Sequence, residues 1–171
     1  MTYKMLRLAL GLSAIVLCGA APTPSGAEED SAALAAAMKD ATITLQAGLK
    51  ASEREGTPIS AKFEIEDGKL QLSVYTMKGE GFMEVVADPK TGAIDKAEKI
   101  SDADDLKAAT SQKAAMAKSK VGLLVATENA VKVNTGSRAV SVDPQLQNGR
   151  ALAEVTLLQG TAFKKVTEKL D

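Results

Sequence analysis

Two series of turn and strand signals, about 80 residues apart, constrain the fold of this chain more than any other feature. Each series begins with a helical pattern and continues with three segments of two-residue alternation, separated by glycine-containing turns. A unit with one helix and one small sheet buries little core alone, so we expect the two units to share a sheet. The matched positions are Gly56 and Gly136, Asp67-Gly68 and Asn148-Gly149, Gly79 and Gly160, and Phe82 and Phe163.

The first unit begins with a predicted helix that Asp30 or Ser31 can cap and that ends near Gly56. After it, apolar residues alternate with charged ones on both sides of a hairpin signal, Asp67-Gly68. The apolar helix positions fall on one face and are Leu34, Met38, Ala41, Leu45 and Leu49. The alternating strand positions are Phe63, Ile65, Leu70, Leu72 and Val74.

The second unit begins with a predicted helix that Ser101 can cap and that runs to about Glu128. The fold class predicted from both units is α+β. We expect two repeated helix-plus-three-strand units, sharing an antiparallel sheet with both helices on one face. The corresponding division of the chain is a leader at 1–27, a first unit at 28–100 and a more divergent second unit at 101–171.

The leader has the anatomy of a secretory signal peptide. A short basic region with Lys4 and Arg7 precedes an apolar stretch too short to span a bilayer, and small residues stand before a cleavage site after Ala27. Cys18 favours a lipoprotein instead, but Leu17 is bulky where a lipid-attachment signal needs a small residue. We therefore expect a periplasmic or secreted protein with no stable membrane anchor after cleavage.

Residues 41–100 resemble a PepSY domain. That family has a helix with spaced alanines, a glycine before its first strand, an Asp-Gly turn and a long second strand. It ends in the pattern E-V-x-x-D-x-x-T-G-x-I/V. Residues 113–171 resemble the same family more weakly, because they stop at Asp171 without that ending. The residues that match the ending are Glu84, Val85, Asp88, Thr91, Gly92 and Ile94.

The resemblance implies a non-catalytic, exported or membrane-facing module. PepSY domains occur in propeptides of thermolysin-type peptidases and in small bacterial envelope proteins, where they are thought to bind or restrain other proteins. Tandem helix-sheet units are also similar in layout to β-lactamase inhibitor proteins, whose sheet grips an enzyme. The family supplies no catalytic residues to assign to this chain.

The composition excludes several chemistries. The chain has no histidine, and its one cysteine lies in the leader, so Ser-His and Cys-His pairs and imidazole or thiolate metal sites are excluded from the mature protein. The formal net charge of −1 gives no electrostatic argument for a nucleic-acid partner. A carboxylate pair or a Ser-Lys arrangement stays open as a catalytic group, but the sequence shows no such cluster, so we expect no enzymatic activity and no cofactor.

The acidic groups have structural interpretations. Alternation places Glu64 and Glu66 on the solvent face of a strand, where charges are ordinary. Asp102, Asp104 and Asp105 could suggest calcium, but they open a helix whose dipole favours acids in its first turn. The turn from Asp88 to Gly92 likewise has too few carboxylates for an ion site, and turn geometry explains it.

The candidate partner-binding residues are Tyr75, Met77 and Met83. If Leu70, Leu72 and Val74 face the helix, Tyr75 and Met77 face away from it, and with Met83 they could form a small apolar patch on a polar sheet face. The other interpretation is that these side chains pack on a loop or on the second unit.

The function predicted from these observations is that of an exported binding or regulatory module. It would engage another envelope protein, in the sharpest case inhibiting a peptidase or hydrolase, through a sheet face or an unpaired sheet edge. The alternative is a periplasmic small-molecule carrier with an apolar cavity between helices and sheet. A filled core with a flat apolar sheet face would favour the binding module, and a deep lined cavity would favour the small-molecule carrier.

Overall fold

Seven strands form one antiparallel sheet in the order β4-β3-β2-β1-β5-β6-β7. The computed structural model describes residues 26–171, with side chains from residue 29. All but the last two residues of the predicted signal peptide, Cys18 included, lie outside that range. The strands are β1 (Thr57–Glu66), β2 (Lys69–Lys78), β3 (Gly81–Ala87), β4 (Ile94–Lys99), β5 (Arg138–Gln147), β6 (Arg150–Gln159) and β7 (Ala162–Lys169).

Four α-helices accompany the sheet in the described part of the chain. They are α1 (Gly26–Ala37), α2 (Leu45–Ser52), α3 (Ala103–Met116) and α4 (Leu123–Val133), and a short 3₁₀ turn (Glu53–Glu55) follows α2. The predicted α+β class and the shared antiparallel sheet are therefore confirmed. The first half of the chain has two helices and four strands and the second half has two helices and three strands, which differs from one helix and three strands per unit.

The predicted hairpin turns form as the sequence indicates. Asp67 and Gly68 have φ values of 51° and 74°, and Asn148 and Gly149 have 52° and 78°. Positive φ at both central residues is the condition for a type I′ turn, whose twist matches that of the two strands it joins. These turns fix the registers of β1 with β2 and of β5 with β6.

The helix predicted to run from Asp30 or Ser31 to near Gly56 is two helices. α1 begins before both proposed caps, and the chain leaves it after Ala37. α2 begins anew with Thr44 as its N-cap, whose hydroxyl accepts a hydrogen bond from the Ala47 amide at 3.1 Å. The predicted apolar positions are nevertheless right, because Met38, Leu45 and Leu49 are all buried. The spacing of apolar residues therefore identified the buried side of the helices but not the break between α1 and α2.

The helix predicted from Ser101 to Glu128 is also two helices, α3 and α4. Its cap is Asp102 and not Ser101, since the Asp102 carboxylate accepts from the Asp104 amide at 2.9 Å and from the Asp105 amide at 3.2 Å. The chain leaves α3 at its C-terminal end, and the Val121 amide donates to the Leu170 carbonyl at 3.0 Å. Gly122 then opens α4.

The two faces of the sheet carry different helices, which corrects the expectation of helices on one face. Val74 and Tyr75 are consecutive in β2 and so point to opposite faces. Val74 belongs to the main core with residues of α2 and α4, whereas Tyr75 packs with Ala109 of α3. α2 and α4 therefore cover one face and α3 covers part of the other.

Candidate functional site: the polar cleft beneath α3

α3 is seated on a small apolar strip on the second face of the sheet. The strip comprises Ile59, Tyr75, Met77 and Phe82. Ala109 of α3 is fully buried against it, and Leu106 and Met116 add partly buried contacts. Lys113 of α3 also lies over the Phe82 ring, with its Nζ 5.9 Å from the ring centre. This contact is much smaller than the main core, so α3 is joined to the sheet by few apolar groups.

A cleft of about 260 Å³ lies beside this seat, between α3 and strands β2, β1, β5, β6 and β7. We call it the α3 cleft. It is smaller than most pockets for drug-sized ligands, which measure roughly 300–1,000 Å³. Its polar lining consists of the side chains of Ser60, Lys62, Ser73, Tyr75, Asp105, Gln112, Ser141, Asp143, Glu154, Thr156 and Lys165.

Gln112 holds α3 to the two central strands that line the cleft. Its Oε1 accepts a hydrogen bond from the Ser60 hydroxyl at 3.0 Å, and its Nε2 donates to Asp143 Oδ1 at 2.9 Å. Ser60 lies on β1 and Asp143 on β5. One amide side chain therefore bridges the junction between the two halves of the sheet.

Ionisation of Asp143 is less favourable in the folded protein than in water. Burial raises the pKa of Asp143 above its ordinary value, and the nearby Glu154 carboxylate adds to the rise. The hydrogen bond from Gln112 and the charges of Lys165 and Lys62 act in the opposite direction but do not cancel the effect. Asp143 is consequently a carboxyl group for which a further donor or cation would be favourable.

Tyr75 and Asp105 form the end of the cleft nearest the apolar strip. The side chain of Tyr75 is only 7% exposed and lies beside the Asp105 carboxylate in the lining of the cleft. Burial, followed by the interaction with Asp105, raises the pKa of Tyr75 far above its ordinary value, so the phenol stays protonated. Asp105 Oδ1 is buried and has no hydrogen-bond partner among the described residues.

The two lysines of the cleft are already paired with carboxylates. Lys62 Nζ lies 2.6 Å from Glu64 Oε2, and Lys165 Nζ lies 2.7 Å from Glu154 Oε1. Neither Asp105 nor Asp143 has such an ion pair within residues 29–171. The α3 cleft therefore contains charges of both signs, but the region around Asp105 and Asp143 is acidic because neither carboxylate has a lysine partner.

The three predicted partner-binding residues do not form one exposed patch. Tyr75 and Met77 share a face, as expected, but α3 covers them. Met83 pairs with Thr76 in the register of β2 with β3, so it faces the opposite side and packs against the main core. The sequence pattern correctly placed Tyr75 and Met77 on one face, but it did not reveal that a helix from the same chain covers them. Their role in partner binding stays a prediction.

The acids singled out in the sequence have local structural roles. Gln71 Nε2 donates to Glu66 Oε2 at 2.6 Å and to Glu64 Oε1 at 3.3 Å, so both glutamates are held along the open sheet face. Asp88 Oδ1 accepts from the Thr91 amide at 2.6 Å and the Thr91 hydroxyl at 2.8 Å. These bonds lower the pKa of Asp88, which confirms turn geometry as the reason for this residue.

The turn after β3 also has a partner in the fold. The Pro89 carbonyl accepts from the amides of Thr42 and Ile43 at 3.1 and 3.2 Å, and the Thr42 hydroxyl donates to the Lys90 carbonyl. The Asp-x-x-Thr-Gly motif thus anchors the segment that joins α1 to α2. Its function in this chain is to position the helices.

The sequence analysis did not identify Gln112 or Asp143, and it explained Asp105 only as an acid in the first turn of a helix, where the dipole favours negative charge. Asp105 and Gln112 are seven residues apart on α3, which places both on one face, together with Ala108 and Ala109. That spacing was the available signal. Asp143 could not be found in the same way, since it meets Gln112 only because β5 lies next to β1.

Two features are absent from the described residues. No helix among them is long and apolar enough to cross a membrane. No group of three or more histidine, cysteine, aspartate or glutamate residues in that range is arranged to hold a metal ion.

The chain was compared with known proteins. No family model matches it, and no curated protein matches it. Among solved structures, a candidate lipoprotein from Clostridium difficile 630 is similar over 71% of this chain and 80% of its own, with 14% sequence identity and a TM-score of 0.38. A likeness at this level assigns neither a function nor a partner.

Proposed function

We propose that this protein is an exported, non-catalytic binding module that engages another protein of the cell envelope through the α3 side of its sheet. The observation that carries the proposal is the contrast between the two sheet faces. One is covered by α2 and α4 over the main core, whereas the other leaves polar side chains and the α3 cleft accessible around a single helix. On the second face, a partner can therefore reach polar side chains of the strands themselves.

The residues of the two edge strands indicate that a partner contacts a face of the sheet and not one of its edges. β4 carries Asp95, Lys96, Glu98 and Lys99, and β7 carries Lys164, Lys165, Glu168 and Lys169. Charged edge strands resist pairing with a strand from another chain. We therefore place the partner on the α3 side and not along β4 or β7.

Two finer points belong to the proposal. We infer that the two halves are copies of one unit, supported by the equal turn geometry at Asp67-Gly68 and Asn148-Gly149 and at Gly79 and Gly160, with φ of 60° and 62°. We also infer membership of the PepSY family from the ending between Glu84 and Ile94. An inhibitor of an envelope peptidase or hydrolase is the sharpest form of this function.

Export belongs to the proposal as well. It is supported by the basic and apolar segments of the leader and by the small residues before the cleavage site predicted after Ala27. In an oxidising compartment the mature chain has no disulfide to rely on, because it has no cysteine after position 18.

Lysine cross-linking can locate the contact surface. Residues 28–171 would be captured from an envelope extract of the source organism, and cross-linked peptides would be assigned by mass spectrometry. We expect cross-links from a captured protein at Lys62, Lys113 and Lys165, which lie on the α3 side. Cross-links confined to Lys39, Lys50 and Lys132, on or beside the helices of the other face, would contradict the proposal.

A small-molecule carrier is the second candidate, and the α3 cleft is the observation that favours it. The cleft lies between a helix and the sheet, as a carrier requires, but its lining is rich in hydroxyl, amide and charged groups. The cargo would therefore be a small polar molecule and not a lipid. Native mass spectrometry of the mature protein purified from its own host would detect such a cargo as a stoichiometric mass increment.

A further inference from the structure

We propose that the α3 cleft binds an organic cation with N–H donors, an ammonium or guanidinium group. This inference rests on the proposed binding function and specifies the chemistry recognised at its site. Three features of the cleft carry it: an unsatisfied carboxylate oxygen, the pairing of both lining lysines with glutamates, and the balance of charge.

The unsatisfied group is Asp105 Oδ1. It is buried at the cleft and lacks a hydrogen-bond partner in the described part of the chain. A buried polar atom left without a partner is costly, and nearly all such atoms in folded proteins are satisfied. A donor placed in the cleft would remove that cost.

The nitrogen donors that line the cleft, and the Ser60 hydroxyl, already have partners. Gln112 Nε2 donates to Asp143, and the Ser60 hydroxyl donates to Gln112 Oε1. Lys62 and Lys165 are each paired with a glutamate at less than 3 Å. The protein itself therefore offers Asp105 no cation, and an outside donor would not have to displace an existing pair.

The charge balance selects a cation. Three carboxylates line the cleft, Asp105, Asp143 and Glu154, against two lysines, of which only Lys165 is paired to one of the three. A positive group placed there would also relieve Asp143, whose ionised form is disfavoured by burial. Charge-assisted N–H bonds to carboxylates are stronger than neutral ones, and a guanidinium can make two in parallel. The volume of about 260 Å³ suits the end of a side chain or a small molecule.

The cation can come from two sources, an arginine or lysine of the envelope partner or a free amine. The probe for the shared chemistry is N-acetylarginine methylamide, with N-acetylcitrulline methylamide as its neutral isostere. The probes would be titrated into ¹⁵N-labelled residues 28–171 and followed by amide chemical shifts. We expect saturable shifts at Asp105, Gln112 and Ser141 with the arginine probe and none with the citrulline probe.

Asp105→Asn is the test variant and Asp104→Asn its matched control. Both remove one charge from the first turn of α3, but Asp104 is exposed and does not line the cleft. We expect the arginine probe to bind Asp105→Asn about tenfold more weakly or worse, as for loss of a charged hydrogen bond, and to bind Asp104→Asn as it binds the wild type. Equal weakening in both variants, or saturable binding of citrulline, would overturn the inference. Circular dichroism confirms that each variant is folded.

The same reagents separate this inference from the proposed function. Cross-linking of a partner to the α3 side without binding of the arginine probe would overturn the inference and leave the proposed function standing. Competition between the probe and the partner would support the inference and assign the cation to the partner. Probe binding with no partner captured would support the inference, contradict the proposed function and identify a free amine as the ligand.

Discussion

Arg138 shows how one side chain connects distant parts of this fold. Its Nη1 donates to the carbonyls of Met38 and Ala41 at 2.8 and 3.0 Å, and its Nη2 donates to the Ile43 carbonyl at 2.8 Å. The guanidinium also lies over the Phe63 ring, 5.8 Å from its centre. A residue at the start of β5 thus fixes the segment between α1 and α2, whose carbonyls have left helical pairing.

Replacing Arg138 should destabilise the protein. Lysine carries the charge but lacks the planar fork, so Arg138→Lys cannot reproduce three directed bonds. We expect a loss of about 2 kcal/mol in the free energy of unfolding, measured by urea denaturation, because bonds from a charged donor contribute roughly 1.5–3 kcal/mol each. Arg150→Lys is the control, since Arg150 bonds only the Asp171 carboxylate at an exposed site. Equal losses in the two variants would contradict this role of Arg138.

Asp143 should impose a pH dependence on stability. Its pKa in the folded protein is raised above the ordinary 3.8, so folding favours the protonated form. Stability is therefore lost as pH rises from about the ordinary pKa through the raised one. The Asp143→Asn variant has no ionisable group at this position, so it should not lose stability in this way as pH rises. We expect its unfolding free energy, relative to wild type, to increase between pH 3.5 and pH 7 in urea titrations. A constant difference across that range would show that burial of Asp143 does not govern its ionisation.

Elements in this chain are placed by close contacts that the sequence pattern conceals. α2 approaches β2 at Gly48, where an added Cβ would lie 2.1 Å from Leu72 Cδ2 and 3.0 Å from Leu72 Cγ. Helical spacing predicts that this side of α2 is buried, but it does not predict that the helix rests so near the sheet. The approach depends on the pairing of a small residue with a large one across two elements.

Gly48→Ala should destabilise the protein although alanine favours helices. The helix-propensity gain of about 1 kcal/mol is opposed by overpacking, which typically costs roughly 1–3 kcal/mol. We expect a net loss of about 1 kcal/mol in urea denaturation. A double-mutant cycle with Leu72→Ala tests the mechanism, because Leu72→Ala should cost less when Gly48 is already alanine. Additive losses would indicate that the clash with Leu72 is not the cause.

α3 is an element that propensity and periodicity described only in part. Asp102, Asp104 and Asp105 correctly indicated a helix start, and the cap residue was wrong by one position. The side of the sheet that α3 occupies could not be predicted, because its buried residues are alanines and carry little apolar signal. The position of α3 depends on its contacts with Tyr75 and Phe82, which lie on strands distant from it in sequence.

Ala109→Glu should release α3 without unfolding the sheet. Ala109 is fully buried against the apolar strip, and an unpaired charge there is unfavourable, whereas the main core lies on the other face. We expect amide hydrogen exchange to accelerate in residues 103–116 and to stay slow at Val74 and Val155. Ala108→Glu is the comparison, since Ala108 is only partly buried and lies at the cleft. Faster exchange in the core strands as well would contradict the independence of α3.

At the scale of the whole molecule, the sheet could be predicted from local sequence patterns, whereas the α3 cleft depends on contacts between residues distant in sequence. Alternation at Phe63, Leu72 and Val74 and the two hairpin turns were sufficient to predict one antiparallel sheet with a buried face. The α3 cleft needs the junction of β1 with β5 and a helix crossing it, and neither is encoded in one stretch of sequence. That is why Tyr75 could be selected as a candidate while its covering helix could not.

The α3 cleft and the functions proposed for it depend on one structural feature, the position of α3 on the opposite side of the sheet from α2 and α4. Nuclear Overhauser effects from the Ala109 methyl group test it directly in the mature protein. With α3 in that position, we expect cross-peaks to the ring protons of Tyr75 and Phe82. Cross-peaks from Ala109 to Leu45, Val85 or Leu123 would place α3 against the main core instead and would contradict both the cleft and the functions proposed for it.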